Sequence, residues 1–191
     1  MFDLRNQGSS GGTFSTMGLR EVEDVKAAFA TLIVQPDVDP DRIIIFGQSM
    51  GGSTAIMAMA QLPQARALIV ETAYTSVIDV TNDGVQAVIG RPFIFGDVIL
   101  GMTNLLTGDN IYAVRPIDVI ASIAPRPILI MHGTSDTTIP VSHAVALYEK
   151  AQSPKSLWLV EGGVHGNLYQ IAQGEYQQHV LDFLNNIPDN Q

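Results

Sequence analysis

Arg42-Ile43-Ile44-Ile45-Phe46-Gly47-Gln48-Ser49-Met50-Gly51-Gly52 runs from β-branched and aromatic residues, through a serine flanked by glycines, toward the apolar segment Thr54-Ala55-Ile56-Met57-Ala58-Met59-Ala60. The first part predicts a strand over 42–46, and the last a helix that begins just past the serine. Between them the chain must reverse sharply, which sets Ser49 in a strained turn above the edge of a sheet. Small residues at 47, 51 and 52 suit a close approach of strand and helix. The pattern G-x-S-x-G also arises by chance in glycine-containing turns. Its setting, strand before and helix after, is what marks Ser49 as a candidate nucleophile. The positive end of the helix then faces any oxyanion formed at Ser49, and the Met50 backbone N–H is a candidate oxyanion donor.

Outward from this turn the same alternation continues. Ala67-Leu68-Ile69-Val70, Pro127-Ile128-Leu129-Ile130-Met131 and Leu157-Trp158-Leu159-Val160 are nearly continuous apolar runs, as expected of strands buried on both faces of a parallel sheet. Leu19, Val22, Val25, Phe29, Leu32 and Ile33 form one helical stripe, and Tyr176, Val180, Phe183 and Leu184 another. The expected fold is α/β, a mostly parallel sheet flanked by helices in a single domain over 1–191. Residues 75–116 are more than one crossover needs and carry no convincing strand. They read as a helical cap over a substrate pocket, or as an ordinary pair of packing helices.

A serine hydroxyl needs a base within hydrogen-bond reach. The sequence offers His132, His143, His165 and His179. His165 lies in Glu161-Gly162-Gly163-Val164-His165-Gly166-Asn167, a glycine-rich loop leaving the carboxyl end of a strand, where parallel sheets build their sites. His132 reads better as a structural turn histidine. His143 and His179 fall in helical patterns. For the acid, Asp136 stands in Thr134-Ser135-Asp136-Thr137-Thr138-Ile139-Pro140, between the strand 127–131 and a helix opened by Pro140. A turn or cap aspartate is the alternative. Glu71, ending the strand 67–70, is the rival acid. The order Ser, Asp, His off successive strands favours Asp136.

The formal net charge is −9, which disfavours nucleic acid and anionic membrane surfaces as partners. There is no cysteine, which excludes disulfides, thiolate metal sites and a cysteine nucleophile. Met1–Gly8 lacks a basic segment followed by an apolar one, so no signal peptide is expected. The apolar stretch 93–106 is too short and interrupted to span a bilayer. A cytoplasmic or otherwise soluble protein is expected.

The elbow at 47–52, the acid loop at 132–140 and the histidine loop at 162–167 together resemble the α/β-hydrolase superfamily, in its esterase, deacetylase and prolyl-oligopeptidase-like branches. The resemblance covers essentially the whole chain and implies Ser49 as nucleophile, Asp136 as acid and His165 as base. It implies a serine esterase acting on small acyl esters through an acyl-enzyme, with no metal or organic cofactor. A peptidase or amidase using the same groups is the alternative, as is an incomplete hydrolase acting through a partner chain. Phe2–Ser10 looks like the loop leaving the fourth strand of that family, and the three earlier strands have no counterpart here, so either a fragment or a shortened hydrolase fold is expected. Residues 1–4 are expected to fill the gap beside strand 42–46. The loop 5–12, with Gly8, Gly11 and Gly12, is then expected near Ser49, where it would supply the second oxyanion donor. A homodimer whose interface includes residues 1–15 is expected from the exposed edge. A monomer in which residues 1–20 cover the gap is the alternative.

Overall fold

The computed structural model describes residues 1–90 and 93–188, with the side chains of 93–95 also outside the description. A helix, α1 (Glu21–Leu32), precedes the first strand, β1 (Ile44–Gln48), which leads into α2 (Met50–Met59). After β2 (Ala67–Glu71) come α3 (Val77–Ile89), α4 (Phe93–Thr107) and the short α5 (Pro116–Val119). β3 (Ile128–Gly133), α6 (Ser142–Lys150) and β4 (Lys155–Val160) follow, then α7 (Leu168–Ile171) and α8 (Gln173–Asn185). The four strands form one parallel sheet in the order β1-β2-β3-β4.

Both faces are covered, as a parallel sheet requires. On one face Val22, Val25 and Phe29 of α1, Ile56 and Met59 of α2, and Leu147 of α6 bury against Leu68, Val70, Ile128 and Ile130. On the other, Leu168, Tyr176, Val180 and Phe183 cover Ile69, Leu129, Met131 and Val160. Each fully buried side chain of this size contributes ~1.5–3 kcal/mol. A third cluster lies off the carboxyl ends of the strands. It gathers Tyr74, Val77, Leu100, Ile111, Val114 and Ile139, with Met50 packed against them.

The structure corrects several expectations. β1 starts at Ile44, because Pro40–Arg42 forms a tight turn capped by Asp39, and it runs on to Gln48. Only β2 and β3 are buried on both faces; β4 is an edge strand with Ser156 and Leu159 exposed. α6 begins at Ser142, two residues after Pro140. Residues 1–4 do not fill the place beside β1, whose outer edge pairs with no strand among the described residues. Leu4 packs against the core formed with α1, and the Arg5 backbone N–H and guanidinium both bind Asp24 of α1 at 2.6–3.1 Å. These contacts anchor the segment on the helix. The loop 5–12 is held by Asp3, which binds Ser9 and Ser10, and by the Asn6 N–H to Gly11 carbonyl bond. The chain comes near the elbow further on, at Ser15, whose hydroxyl lies 3.3 Å from the Met50 sulfur.

That approach is held by Glu21, which is fully buried at the start of α1. Its carboxylate accepts the Thr16 N–H (2.7 Å), the Thr16 hydroxyl (2.5 Å), the Gly18 N–H (2.9 Å) and the Ser15 hydroxyl (2.8 Å). Burial alone would push this carboxyl up, but the Thr16 and Ser15 donors outweigh it and hold it below the usual glutamate range. A carboxylate with a lowered folded pKa contributes stability above the unfolded value, ~4.3, and loses it as pH falls through the folded one. Glu21→Gln is therefore expected to cost ~1–3 kcal/mol at neutral pH, because donors lose a charged acceptor. The gap to wild type should narrow below about pH 4. Urea unfolding of both proteins at pH 7 and pH 3 checks this; an equal gap at both values would contradict it.

Candidate active site

Ser49 follows directly on β1 and directly precedes α2, and takes φ 54 and ψ −124. A positive φ at a non-glycine residue costs on the order of 1–3 kcal/mol and persists only where its surroundings over-determine it. Here the Ser49 N–H is held by the Glu71 carbonyl at 2.8 Å. Gly47 is required by the same turn, since a Cβ there would stand 2.3 Å from the Gly51 carbonyl oxygen. Gly52 also sits close, against the Gly47 carbonyl and Ala73, whereas a Cβ on Gly51 would meet nothing within 4 Å. The expected close approach thus falls on 47 and 52 and not on 51. Met50 supplies the first N–H of α2, a group for which the helix has no acceptor of its own.

Asp136 and His165 come from the loops after β3 and β4, and those loops are laced together. Ser135 N–H donates to the Gly163 carbonyl (2.9 Å), and Gly162 N–H to the Thr134 hydroxyl (2.9 Å). The backbones meet at Gly133, where a Cβ would lie 2.2 Å from the Gly163 carbonyl oxygen. Asp136 is buried. Its Oδ1 accepts the N–H groups of Thr138 (2.8 Å) and Ile139 (2.9 Å), which makes it a turn aspartate as well. Its Oδ2 lies 2.8 Å from His165 Nδ1. On the other side of the ring, His165 Nε2 lies 3.0 Å from Ser49 Oγ. A carboxylate only accepts, so Nδ1 carries the proton and Nε2 offers its lone pair to the serine hydroxyl. Such a chain can draw the proton from a serine as its oxygen attacks a carbonyl.

The rival residues lie elsewhere. Glu71 binds Gln48 and Tyr176 and makes no bond to His165. His132 is fully buried behind Asp136, with Nε2 2.8 Å from the Ile139 carbonyl and 3.6 Å from Asp136 Oδ2. Burial pushes His132 down, so it stands there neutral, donating Nε2–H. His143 is buried on α6; its Nδ1 accepts the Thr75 N–H (3.0 Å) and its Nε2 donates to Asp83 (2.7 Å), tying α3 to α6. His179 stacks on Trp158 at 4.2 Å. The bonds of Thr75 to His143 and of Glu71 to Gln48 and Tyr176 join residues far apart in sequence and carry no local signal, so reading along the chain misses them.

Segment 75–116 forms α3 and α4, with no strand among its described residues. Leu100 is turned inward at 4% exposure, toward the cluster that includes Met50, whereas Ile99, Leu105 and Leu106 are 49%, 84% and 81% exposed. Phe93, Ile94 and Phe95, expected to line a cover, lie outside the described side chains. No described group of three or more His, Cys, Asp or Glu side chains could hold a metal ion. No described helix is long and apolar enough to cross a membrane.

Comparison with known proteins agrees with the fold. YfhR of Escherichia coli strain K12, described as uncharacterized, is 30% identical over 187 residues, which cover 96% of this chain and 59% of YfhR. The chain thus spans 59% of the length of that relative. Among solved structures, esterase Pf2001 of Pyrococcus furiosus superposes with a TM-score of 0.76 at 22% identity, over 97% of this chain and 69% of that one. The acylaminoacyl peptidase of Pyrococcus horikoshii superposes at 0.67 and 18% identity, over 91% of this chain and 29% of that one. At these identities the likeness is one of fold, and the fold is that of the α/β-hydrolases. The profile of the prolyl oligopeptidase family matches residues 13–191, nearly the whole length, and the chain belongs to that family.

Proposed function

We propose that the protein is a serine esterase that cleaves short acyl esters through an acyl-enzyme on Ser49. The observation that carries the reading is the continuous run Ser49 Oγ, His165 Nε2, His165 Nδ1, Asp136 Oδ2, with links of 3.0 and 2.8 Å. In this mechanism the Ser49 oxygen bonds to the ester carbonyl carbon as His165 Nε2 takes the hydroxyl proton. The oxyanion rests on the Met50 N–H at the positive end of α2. Collapse expels the alcohol, which receives the proton from His165. Water then attacks the acyl group by the same route and frees Ser49. Asp136 keeps the proton on Nδ1 throughout and stabilises the imidazolium.

The preference for short chains follows from α3 and α4, which we read as a small cap over the pocket. Of the described residues of α4, Gly96 and Leu100 are the buried ones, so little of its aliphatic surface is turned inward to hold a long acyl chain. In a panel of p-nitrophenyl esters, kcat/KM is expected to peak at acetyl or butyryl and to fall at least about tenfold by palmitoyl. A value rising through lauroyl and palmitoyl would reverse the assignment. The family match favours a second reading, cleavage of amide bonds, since the same groups serve if His165 protonates an amine. Acyl p-nitroanilides in the same panel separate the two: faster turnover of anilides than of matched esters would select the amidase.

A further inference from the structure

Glu71 ends β2 directly beside Gln48 of β1, its partner in the sheet register, and is 3% exposed. Its carboxylate receives the Gln48 side-chain amide at 2.6 Å and the Tyr176 hydroxyl at 2.8 Å. Its main-chain carbonyl receives the Ser49 N–H at 2.8 Å. One residue therefore holds Gln48 by its side chain and Ser49 by its backbone. Tyr176 reaches it from α8, with its ring edge-on to Trp158 (5.9 Å) and Tyr169 (5.5 Å). Strain is set on both sides of Glu71: Thr72 follows at φ 50, and Ser49 stands at φ 54. Such conformations relax unless neighbours oppose it.

We propose that Glu71 is a positioning residue for the nucleophile: its carboxylate, bridging Gln48 to Tyr176, holds the Gly47–Met50 turn so that Ser49 Oγ stays within reach of His165 Nε2. The proposal rests on the reading of Ser49 as nucleophile. Burial, together with the bond to Glu71, pushes the Tyr176 phenol up, so that it remains a donor at neutral pH. The chemistry sets a distinctive order among variants. Glu71→Gln keeps an oxygen for the Gln48 amide and turns its own amide toward Tyr176, whose hydroxyl can accept. Glu71→Ala removes the whole bridge, and Tyr176→Phe removes one end of it.

The test measures p-nitrophenyl acetate kinetics and the rate of fluorophosphonate labelling for wild type and these variants, with Tm recorded for each. Glu71→Ala is expected to lower kcat by about ten- to a hundredfold at little changed KM, and to slow labelling by the same factor. Glu71→Gln should stay within about threefold of wild type, and Tyr176→Phe should fall between them. If Glu71→Ala does not fold, Gln48→Ala and Tyr176→Phe decide; unchanged labelling in both would overturn the proposal. A lower Tm in Glu71→Ala with full kcat and labelling per folded molecule would make Glu71 a packing residue only, and would also overturn it. So would a Glu71→Gln variant as slow as Glu71→Ala with a shifted pH–rate profile, because the charge would then act on His165. A wild-type chain that takes no adduct on Ser49 would remove the reading of Ser49 itself, and this proposal with it.

Discussion

Ser49→Ala and His165→Ala are each expected to lower kcat by roughly four to six orders of magnitude, and the double variant to lose little more. The reason is mutual dependence. The serine oxygen attacks only as its proton leaves, and the nearest base is His165 Nε2 at 3.0 Å. Without the serine, His165 has no nucleophile to serve; without His165, the serine keeps its proton. In the proposed mechanism, what survives either loss is the Met50 backbone N–H and the binding of the ester, which neither substitution touches. Wild type should take one fluorophosphonate adduct, at Ser49, and Ser49→Ala none. Three other serines are poor competitors. Ser53 is fully buried, bonded to both the N–H and the carbonyl of Tyr74, and Ser9 and Ser10 are tied to Asp3. Additive losses in the double variant, or an adduct on one of those serines with Ser49 untouched, would defeat the assignment.

The parts of this site that the sequence makes legible are those contained within a few residues of a strand. Gly47 to Gly52, Thr134 to Asp136 and Gly162 to Gly166 each sit where one strand ends, and a parallel sheet brings such ends to one edge. Buried apolar runs identify β2 and β3 for the same reason. β1 begins two residues later than its composition suggests, because Arg42 belongs to the turn before it and Ile43, though extended, only links the two. Residues 157–160 are apolar whether or not a neighbour covers them, so their composition gives no sign that β4 lies at the sheet edge. Position in a sheet is a tertiary property, and a run of four residues does not carry it.

Direction is the other thing composition omits. α4 has apolar residues around much of its circumference, so no 3.6-residue period separates an inner from an outer face. The structure turns Leu100 in and leaves Leu105 and Leu106 out. Polar pairings are still less legible. Gln48 and Glu71 are 23 residues apart, His143 and Asp83 60, and Glu71 and Tyr176 105. The demand behind each pairing is physical, since a buried polar atom without a partner costs ~1–3 kcal/mol. The sequence states the demand and not the partner. Glu71 illustrates the difference: by position it rivals Asp136, and its side-chain bonds go to Gln48 and Tyr176.

Asp136→Asn is expected to lower kcat by roughly ten-thousandfold while the fold persists, and the reason lies in the loop that holds the side chain. Oδ1 of Asp136 accepts two backbone N–H groups, from Thr138 at 2.8 Å and Ile139 at 2.9 Å. An asparagine must keep its carbonyl oxygen on that side, because an amide NH2 turned there would face two donors. Its NH2 is therefore forced to the Oδ2 position, 2.8 Å from His165 Nδ1. There it donates, and His165 has to answer with a lone pair on Nδ1. The ring proton moves to Nε2 and points at Ser49, where a lone pair is needed. The variant keeps its loop and its spacing and has the wrong tautomer of the base. His132 does not rescue it, since its Nε2–H already lies 2.8 Å from the Ile139 carbonyl and is held neutral by burial. The contrast with Glu71→Gln, where the amide finds a hydroxyl able to accept, separates an orienting carboxylate from a bridging one. An Asp136→Asn enzyme within about tenfold of wild type would mean that His165 takes its orientation from another group.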